Sequence, residues 1–247
     1  MWTYLLIFLS LFCLLLIFVR RLYLVLIKKE EEKVEEKAVE PTENKPEKTR
    51  LSRDDKAEME RLYKRSVALI KRKEPKDAVK TLVQALAINP GYEEALKELG
   101  KLYLDQKMWG KASAVYKSLA ENTNDPVDYS HLGLALYNDR DFDAAASAYQ
   151  EAVSLDPKRP QRYVSLGHVY LDAEKLPLAL IAFNKALHLE NENVDYLLLV
   201  AEAHKLLENF DDAKEILKKA MEVAPMGKMA PRMMKEVESS ERKAKKA

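Results

Sequence analysis

The fold is decided by a stretch of sequence that occurs three times, first as LGKLYLDQKMWGKASAVY at residues 99–116. The second and third copies are LGLALYNDRDFDAAASAY at residues 132–149 and LGHVYLDAEKLPLALIAF at residues 166–183. Each copy starts with Leu-Gly, has an alanine twelve positions after the glycine, and ends with an aromatic residue. The copies begin 33 and 34 residues apart, and a fixed period of this length is typical of arrays of paired helices.

The same frame continues in both directions. It includes Leu62, Leu69, Ala78, Leu82, Ala85 and Pro90 upstream, and Leu197, Ala213, Leu217, Ala220 and Pro225 downstream. We therefore predict five repeats within residues 58–226, with starts near residues 59, 93, 126, 160 and 194. The chain has only six glycines and no long run of alternating β-branched residues, so an all-α protein is expected.

These residues resemble the tetratricopeptide repeat (TPR), a 34-residue helix–turn–helix whose pattern is Trp-x-x-Leu-Gly-x-x-Tyr, a later Ala-x-x-x-Phe and a closing Pro. The resemblance covers residues 59–225 and implies a right-handed superhelical α-solenoid. The array departs from the pattern at Arg65-Ser66 and Val200-Ala201, which replace Leu-Gly, and at Asn124 and Asn191, which replace Pro.

Small residues mark the positions where paired helices approach closely. Two antiparallel helices pack closely where one presents a small residue to a bulky residue of its neighbour. On this basis we predict packing roles for Gly100, Gly133, Gly167, Ala112, Ala145, Ala179 and Ala213. Each pair leaves one apolar side uncovered, and the next repeat buries it. Asp141 and Asn209 are predicted to cap second helices.

Residues 227–247 are predicted to form a C-terminal capping helix followed by a basic tail. Met233, Met234 and Val237 share one side of this helix, and charged residues occupy the other. A stack of repeats needs a polar outer face at its end, which favours a cap. A methionine-rich docking surface is the alternative, because Met adapts to varied partners.

Residues 1–27 are predicted to form a transmembrane anchor with an interfacial extension. The span is about residues 1–19, which carry no charge and as a helix match a hydrocarbon core of about 30 Å. The predicted membrane-interface residues are Trp2, Tyr4, Arg20, Arg21, Lys28 and Lys29. A cleaved signal peptide fits less well, because no cation precedes the apolar run and no small residues end it.

All four cations near the span follow it, so the positive-inside rule predicts a single-pass protein whose C-terminal repeats face the cytoplasm. Residues 28–57, rich in Glu, Lys and Pro, are predicted to be a charged, disordered linker. Cys13, the only cysteine, lies within the span; we interpret it as lipid-facing, with lipidation as the alternative.

The sequence contains no catalytic motif. A phosphate-binding Gly-rich loop, a Gly-x-Ser-x-Gly elbow and a His-Glu-x-x-His motif are all lacking, and the four histidines do not have metal-ligand spacing. The 41 basic and 40 acidic residues nearly balance, which argues against a nucleic-acid binder. We expect no enzymatic activity, no cofactor, no metal, no nucleic-acid partner and no small-molecule substrate.

The resemblance implies that partners bind in a groove lined by the first helix of each repeat. The residues that it places there are Lys97, Lys101, His131, Leu134, Tyr137, Gln161, His168, Leu198 and Leu199. The carboxylate clamp that some TPR proteins use is not matched, because His131, Gln161 and Ser165 occupy clamp positions. The mixed lining instead suits an extended or helical segment of a protein partner.

The resulting hypothesis is a membrane-anchored protein–protein interaction scaffold or adaptor. The alternative is a docking receptor for targeting signals or chaperones on an organelle membrane.

Overall fold

The computed structural model describes residues 51–245, and these residues form helices and turns without a strand. Their eleven helices are α1 (Arg53–Lys71), α2 (Pro75–Ile88), α3 (Glu93–Asp105), α4 (Trp109–Thr123), α5 (Pro126–Asn138), α6 (Phe142–Leu155), α7 (Pro160–Asp172), α8 (Leu176–Leu189), α9 (Val194–Leu206), α10 (Phe210–Val223) and α11 (Met229–Ala244). The predicted anchor, its membrane-interface residues and the linker up to residue 50 lie outside the described residues. Between residues 51 and 245, no helix is both long enough and apolar enough to cross a bilayer.

The helices form five antiparallel pairs followed by α11, and each helix packs mainly against its neighbours in sequence. We call α1, α3, α5, α7 and α9 the inner helices, and α2, α4, α6, α8 and α10 the outer helices. Helix α1 begins at Arg53, within the segment predicted as linker and before the predicted repeat start near residue 59. The cause is a local cap, because the Ser52 hydroxyl accepts a hydrogen bond from the Asp55 N–H at 3.0 Å.

Within each pair the chain reverses through the same turn. One residue per turn has a left-handed backbone: Lys73, Lys107, Arg140, Glu174 and Glu208. The next residue donates its N–H to the carbonyl five residues back, as Met108 does to Tyr103 at 2.8 Å. This is the Schellman motif, which satisfies carbonyls at a helix end. It sets the direction in which each outer helix returns along its inner helix.

The two predicted caps differ. The Asp141 carboxylate accepts a hydrogen bond from the Ala144 N–H at 3.1 Å and caps α6. Asn209 occupies the equivalent position before α10, but its side chain makes no capping hydrogen bond. The prediction for Asn209 is therefore confirmed for its N-cap position, whereas the expected side-chain hydrogen bond is not formed.

A glycine of the inner helix meets an aromatic ring of the outer helix in three repeats. A Cβ added to Gly100 or Gly133 would lie 2.8 Å from the ring of Tyr116 or Tyr149. At Gly167 it would lie 2.3 Å from Phe183. The alanines of the outer helices that were predicted to pack closely are fully buried: Ala112, Ala145, Ala179 and Ala213. Only a small residue fits where the helices touch.

Both ends of the stack expose charge. Arg65 of α1 stands where the next three inner helices have Leu99, Leu132 and Leu166, and it lines a polar surface with Arg72. At the other end α11 covers the last pair. Val237 is fully buried, Met233 and Met234 pack against the core, and Lys214 Nζ of α10 lies 2.7 Å from Glu241 Oε2.

Candidate partner-binding surface

The nine residues predicted to line the groove lie on four consecutive inner helices. Helix α3 carries Lys97 and Lys101, α5 carries His131, Leu134 and Tyr137, α7 carries Gln161 and His168, and α9 carries Leu198 and Leu199. Lys101, Leu134 and Gln161 are exposed, and the other six are half-buried. None is fully buried, so each presents part of its side chain to the surface.

A hydrogen bond joins two inner helices across this surface. The Tyr137 hydroxyl on α5 donates to Asp172 Oδ2 on α7 at 2.6 Å, and this bond raises the pKa of Tyr137. Asp172 was not among the predicted residues, because the family's geometry counts eleven places after a repeat start and Asp172 lies twelve places after Pro160. The bond fixes the tyrosine ring at the centre of the inner surface.

Two predicted groove histidines also contact the core. The His131 ring lies 4.8 Å from the Tyr116 ring, and the His168 ring lies 5.3 Å from Phe183, measured between centroids. Burial lowers the pKa of both imidazoles below the usual 6.5, so both are neutral at pH 7. They offer a partner neutral, half-buried rings rather than cations.

Two polar residues of the surface, Lys101 and Gln161, have partners within the chain. Lys101 Nζ lies 2.8 Å from Glu98 Oε1, and Gln161 Nε2 donates to the Tyr196 hydroxyl at 3.1 Å. The lysine keeps a mostly exposed side chain, so this surface pair contributes little to stability. Gln161 connects α7 to α9, so its amide already makes a hydrogen bond when no partner is bound.

Apolar side chains lie beside these polar ones on the inner surface from α5 to α9. Leu134 is 39% exposed, and sequence reasoning missed two further exposed residues, Val127 and Leu206. Leu171, Leu198 and Leu199 are half-buried between them. The surface is thus charged on α3 and carries both apolar and polar side chains over the next three inner helices. Residues 51–245 contain no group of His, Cys, Asp and Glu side chains that could hold a metal ion.

Paired helices that stack on successive pairs define an α-solenoid. Three profiles of one family, each described as tetratricopeptide repeat, match residues 69–134, 131–194 and 194–225. Together they span more than half of the chain, and the chain belongs to the tetratricopeptide repeat family.

Several solved structures share the fold. A crystal structure of MamA matches with a TM-score of 0.64 and 22% identity, over 68% of this chain and 92% of that chain. YrrB, described as a TPR protein with an unusual peptide-binding site, matches with a TM-score of 0.61 and 20% identity, over 70% and 90%. A tetratricopeptide repeat protein from Parabacteroides merdae matches with a TM-score of 0.64 and 16% identity, over 74% and 73%. At these identities the likeness concerns the fold alone.

One curated relative also matches in sequence. The small glutamine-rich tetratricopeptide repeat-containing protein 2 of Mycosarcoma maydis is 29% identical over 101 residues. The match covers 40% of this chain and 29% of that protein, so the chain spans under a third of this relative's length.

Proposed function

We propose that the protein is a membrane-anchored interaction scaffold that binds a segment of a partner protein on its inner surface. The observation that carries this proposal is that three consecutive inner helices each expose apolar residues: Val127 and Leu134 on α5, Leu171 on α7, and Leu198 and Leu206 on α9. Apolar surface exposed on neighbouring elements is typical of interaction sites.

The partner segment presents apolar side chains to these residues and polar side chains to the groups between them. An extended or helical segment can place side chains at regular intervals along the inner helices, as in other groove-binding modes. The charged part on α3, with Lys97, Lys101 and Glu98, would face a polar end of that segment. The description of YrrB as a peptide-binding TPR protein supports this mode of binding.

The anchor forms the second half of the proposal. Residues 1–19 are uncharged and long enough to span a bilayer as a helix, and Arg20 and Arg21 follow them. A protein that combines this segment with a partner-binding array would hold its partner at the cytoplasmic face of a membrane.

The inner surface is tested by a pair of matched substitutions. Leu134→Glu places a charge on the inner surface, and Leu155→Glu places one on outer helix α6 at nearly the same exposure, 39% against 38%. Proximity labelling in intact cells with the full chain should identify partners whose recovery falls with Leu134→Glu and persists with Leu155→Glu. Equal recovery from both variants would refute binding on the inner surface.

The anchor is tested separately. Deletion of residues 1–27 should move the protein from the membrane fraction to the supernatant, while the full chain should resist extraction at alkaline pH. Release of the full chain by alkali would refute a transmembrane anchor. The identity of the membrane fraction also separates a general scaffold from a docking receptor on an organelle.

A further inference from the structure

The outer surface, opposite the proposed partner site, contains an apolar groove between α4 and α6. Its volume is about 580 Å³. Small residues form its walls, and leucines of inner helix α5 form its floor: Ser113, Ala114, Ala144, Ser147, Leu132 and Leu136. Lys117, Glu121 and Glu151 also line the groove, and Leu136 stays half-buried beneath it.

Between the next two outer helices, α6 and α8, larger side chains fill the position that corresponds to the groove. In α8, Leu178 and Ile181 stand where α6 has Ala144 and Ser147. Beneath them Tyr170 replaces Leu136, and its hydroxyl accepts a hydrogen bond from Gln150 Nε2 at 2.6 Å. The open groove between α4 and α6 is therefore not repeated between α6 and α8.

Leu178 and Ile181, which fill the position between α6 and α8, also form an exposed ridge. Leu178 is 42% exposed and Ile181 is 57% exposed, and they lie three residues apart on α8. Residues at this spacing share one face of a helix. The outer surface thus presents an apolar groove and, one outer helix further along, an apolar ridge.

Charge distinguishes the two features. Helix α6 contains Asp143 and Glu151 but no Lys or Arg, whereas α8 contains Lys185 but no Asp or Glu. The groove itself is lined by the carboxylates of Glu121, Asp141 and Glu151 and by one ammonium group, from Lys117. Asp143 is not among its lining residues and pairs with Lys175 at 2.6 Å. An acidic groove and a basic ridge on the same surface are complementary to each other.

We propose that the groove between α4 and α6 is occupied by the α8 ridge of a second copy of this chain. Because α6 lies between the groove and the ridge, a twofold axis passing beside α6 seats each ridge in the other copy's groove. Such a contact is isologous and closes after two copies. The inner surface of each copy stays free, so this dimer is independent of the proposed partner site.

Single-cysteine variants test the contact directly. Cys13 is the only cysteine, so Cys13→Ser provides a background in which Ala114→Cys or Ile181→Cys introduces one thiol. The two full-length variants are reconstituted together in phosphatidylcholine vesicles and treated with a short bismaleimide. A crosslinked dimer should form in the mixture, whereas each variant alone should give only traces.

Controls place the crosslink on this surface. Val83→Cys, which is similarly exposed on α2, should not crosslink to Ile181→Cys chains. Ser147→Trp fills the groove from an exposed position and should lower the crosslinked yield at least about tenfold, and Lys185→Glu should lower it as well. Leu134→Glu on the inner surface should leave the yield unchanged. Absence of dimer in the mixture, an equal yield with Val83→Cys, or an unchanged yield with Ser147→Trp would overturn the proposal.

Discussion

Single residues set how closely the paired helices approach, and glycine is needed only opposite a ring. Gly100, Gly133 and Gly167 face Tyr116, Tyr149 and Phe183. In the first and last repeats the glycine is replaced by Ser66 and Ala201, and the ring at the partner position is replaced by Leu82 and Leu217, all four of them buried. A larger residue on one helix is thus matched by a smaller one on the other. The contact conserves volume, as expected of close-packed interiors.

Gly167→Ala should therefore destabilise the repeats. The new methyl group would lie 2.3 Å from the Phe183 ring, which is fully buried and cannot move away freely. Overpacking of this kind costs about 1–3 kcal/mol. Urea unfolding of residues 51–247 measures the loss.

A matched glycine provides the control. Gly110 lies in helix α4, and the nearest atom to an added Cβ is 3.8 Å away. Gly110→Ala should be neutral or stabilising by up to about 1 kcal/mol, because alanine favours the helix. If Phe183→Leu does not restore the stability of Gly167→Ala, the steric explanation fails.

At the scale of the helices and turns, the residue with a left-handed backbone in each turn within a helix pair is not glycine. Lys107 has a φ of 56° between α3 and α4. This conformation is unfavourable for most residues and worst for β-branched ones. We expect Lys107→Val to be less stable than Lys107→Gly by at least about 1 kcal/mol. Thermal unfolding of the two variants side by side measures the difference, and equal midpoints would contradict it.

The ion pair between Glu241 of α11 and Lys214 of α10 predicts that the docking of α11 varies with pH. Hydrogen bonds from Lys214 and Lys245 lower the pKa of Glu241 to about 2. A carboxyl whose pKa is lower in the folded state stabilises that state above its unfolded pKa, and this contribution is lost as the pH falls through the folded value. Glu241→Gln should therefore be less stable than the natural chain at pH 7, and this difference should shrink between about pH 4.5 and 2.

Glu238 provides the comparison on the same helix. It lies 3.7 Å from Arg242 within α11 and makes no ion pair with α10 among the described residues. Glu238→Gln should change the free energy of unfolding little across the same pH range. Equal pH profiles for the two variants would show that Glu241 does not hold α11 in place.

The helices can be predicted from the sequence because the residues that define each pair lie close together along the chain. Leu, Gly, Ala and aromatic residues at fixed spacing define each pair, and α3, α5, α7 and α9 follow that frame. The early start of α1 escaped prediction because it depends on a cap at Ser52 that precedes the repeat pattern. The bond from Tyr137 to Asp172 and the outer groove also escaped, since both depend on how side chains of successive repeats meet in space.

At the scale of the whole molecule, the residues at the two ends of the stack determine whether stacks associate end to end. Arg65 occupies a position that is leucine in the next three inner helices, and α11 covers the opposite end. Arg65→Leu would make the first repeat resemble an interior one and expose an apolar surface. We expect this variant of residues 51–247 to form assemblies larger than the natural chain does as its concentration rises, as measured by sedimentation velocity.

A second exposed basic residue of α1 serves as the control. Lys64 does not line the polar surface that contains Arg65 and, as the neighbouring residue, lies about 100° around the helix from it. Lys64→Leu should not add to the association. Association of equal strength in both variants would show that any added leucine suffices, and that Arg65 has no particular role.

The chain of contacts between neighbouring helices has a mechanical consequence. Because no helix depends strongly on a distant one, tension applied to the two ends should peel the array one pair at a time. Loosening of α1 and α2 then leaves α7 and α9 in place. A partner bound to α7 and α9 would therefore stay bound while the helices nearest residue 51 unfold and extend under tension.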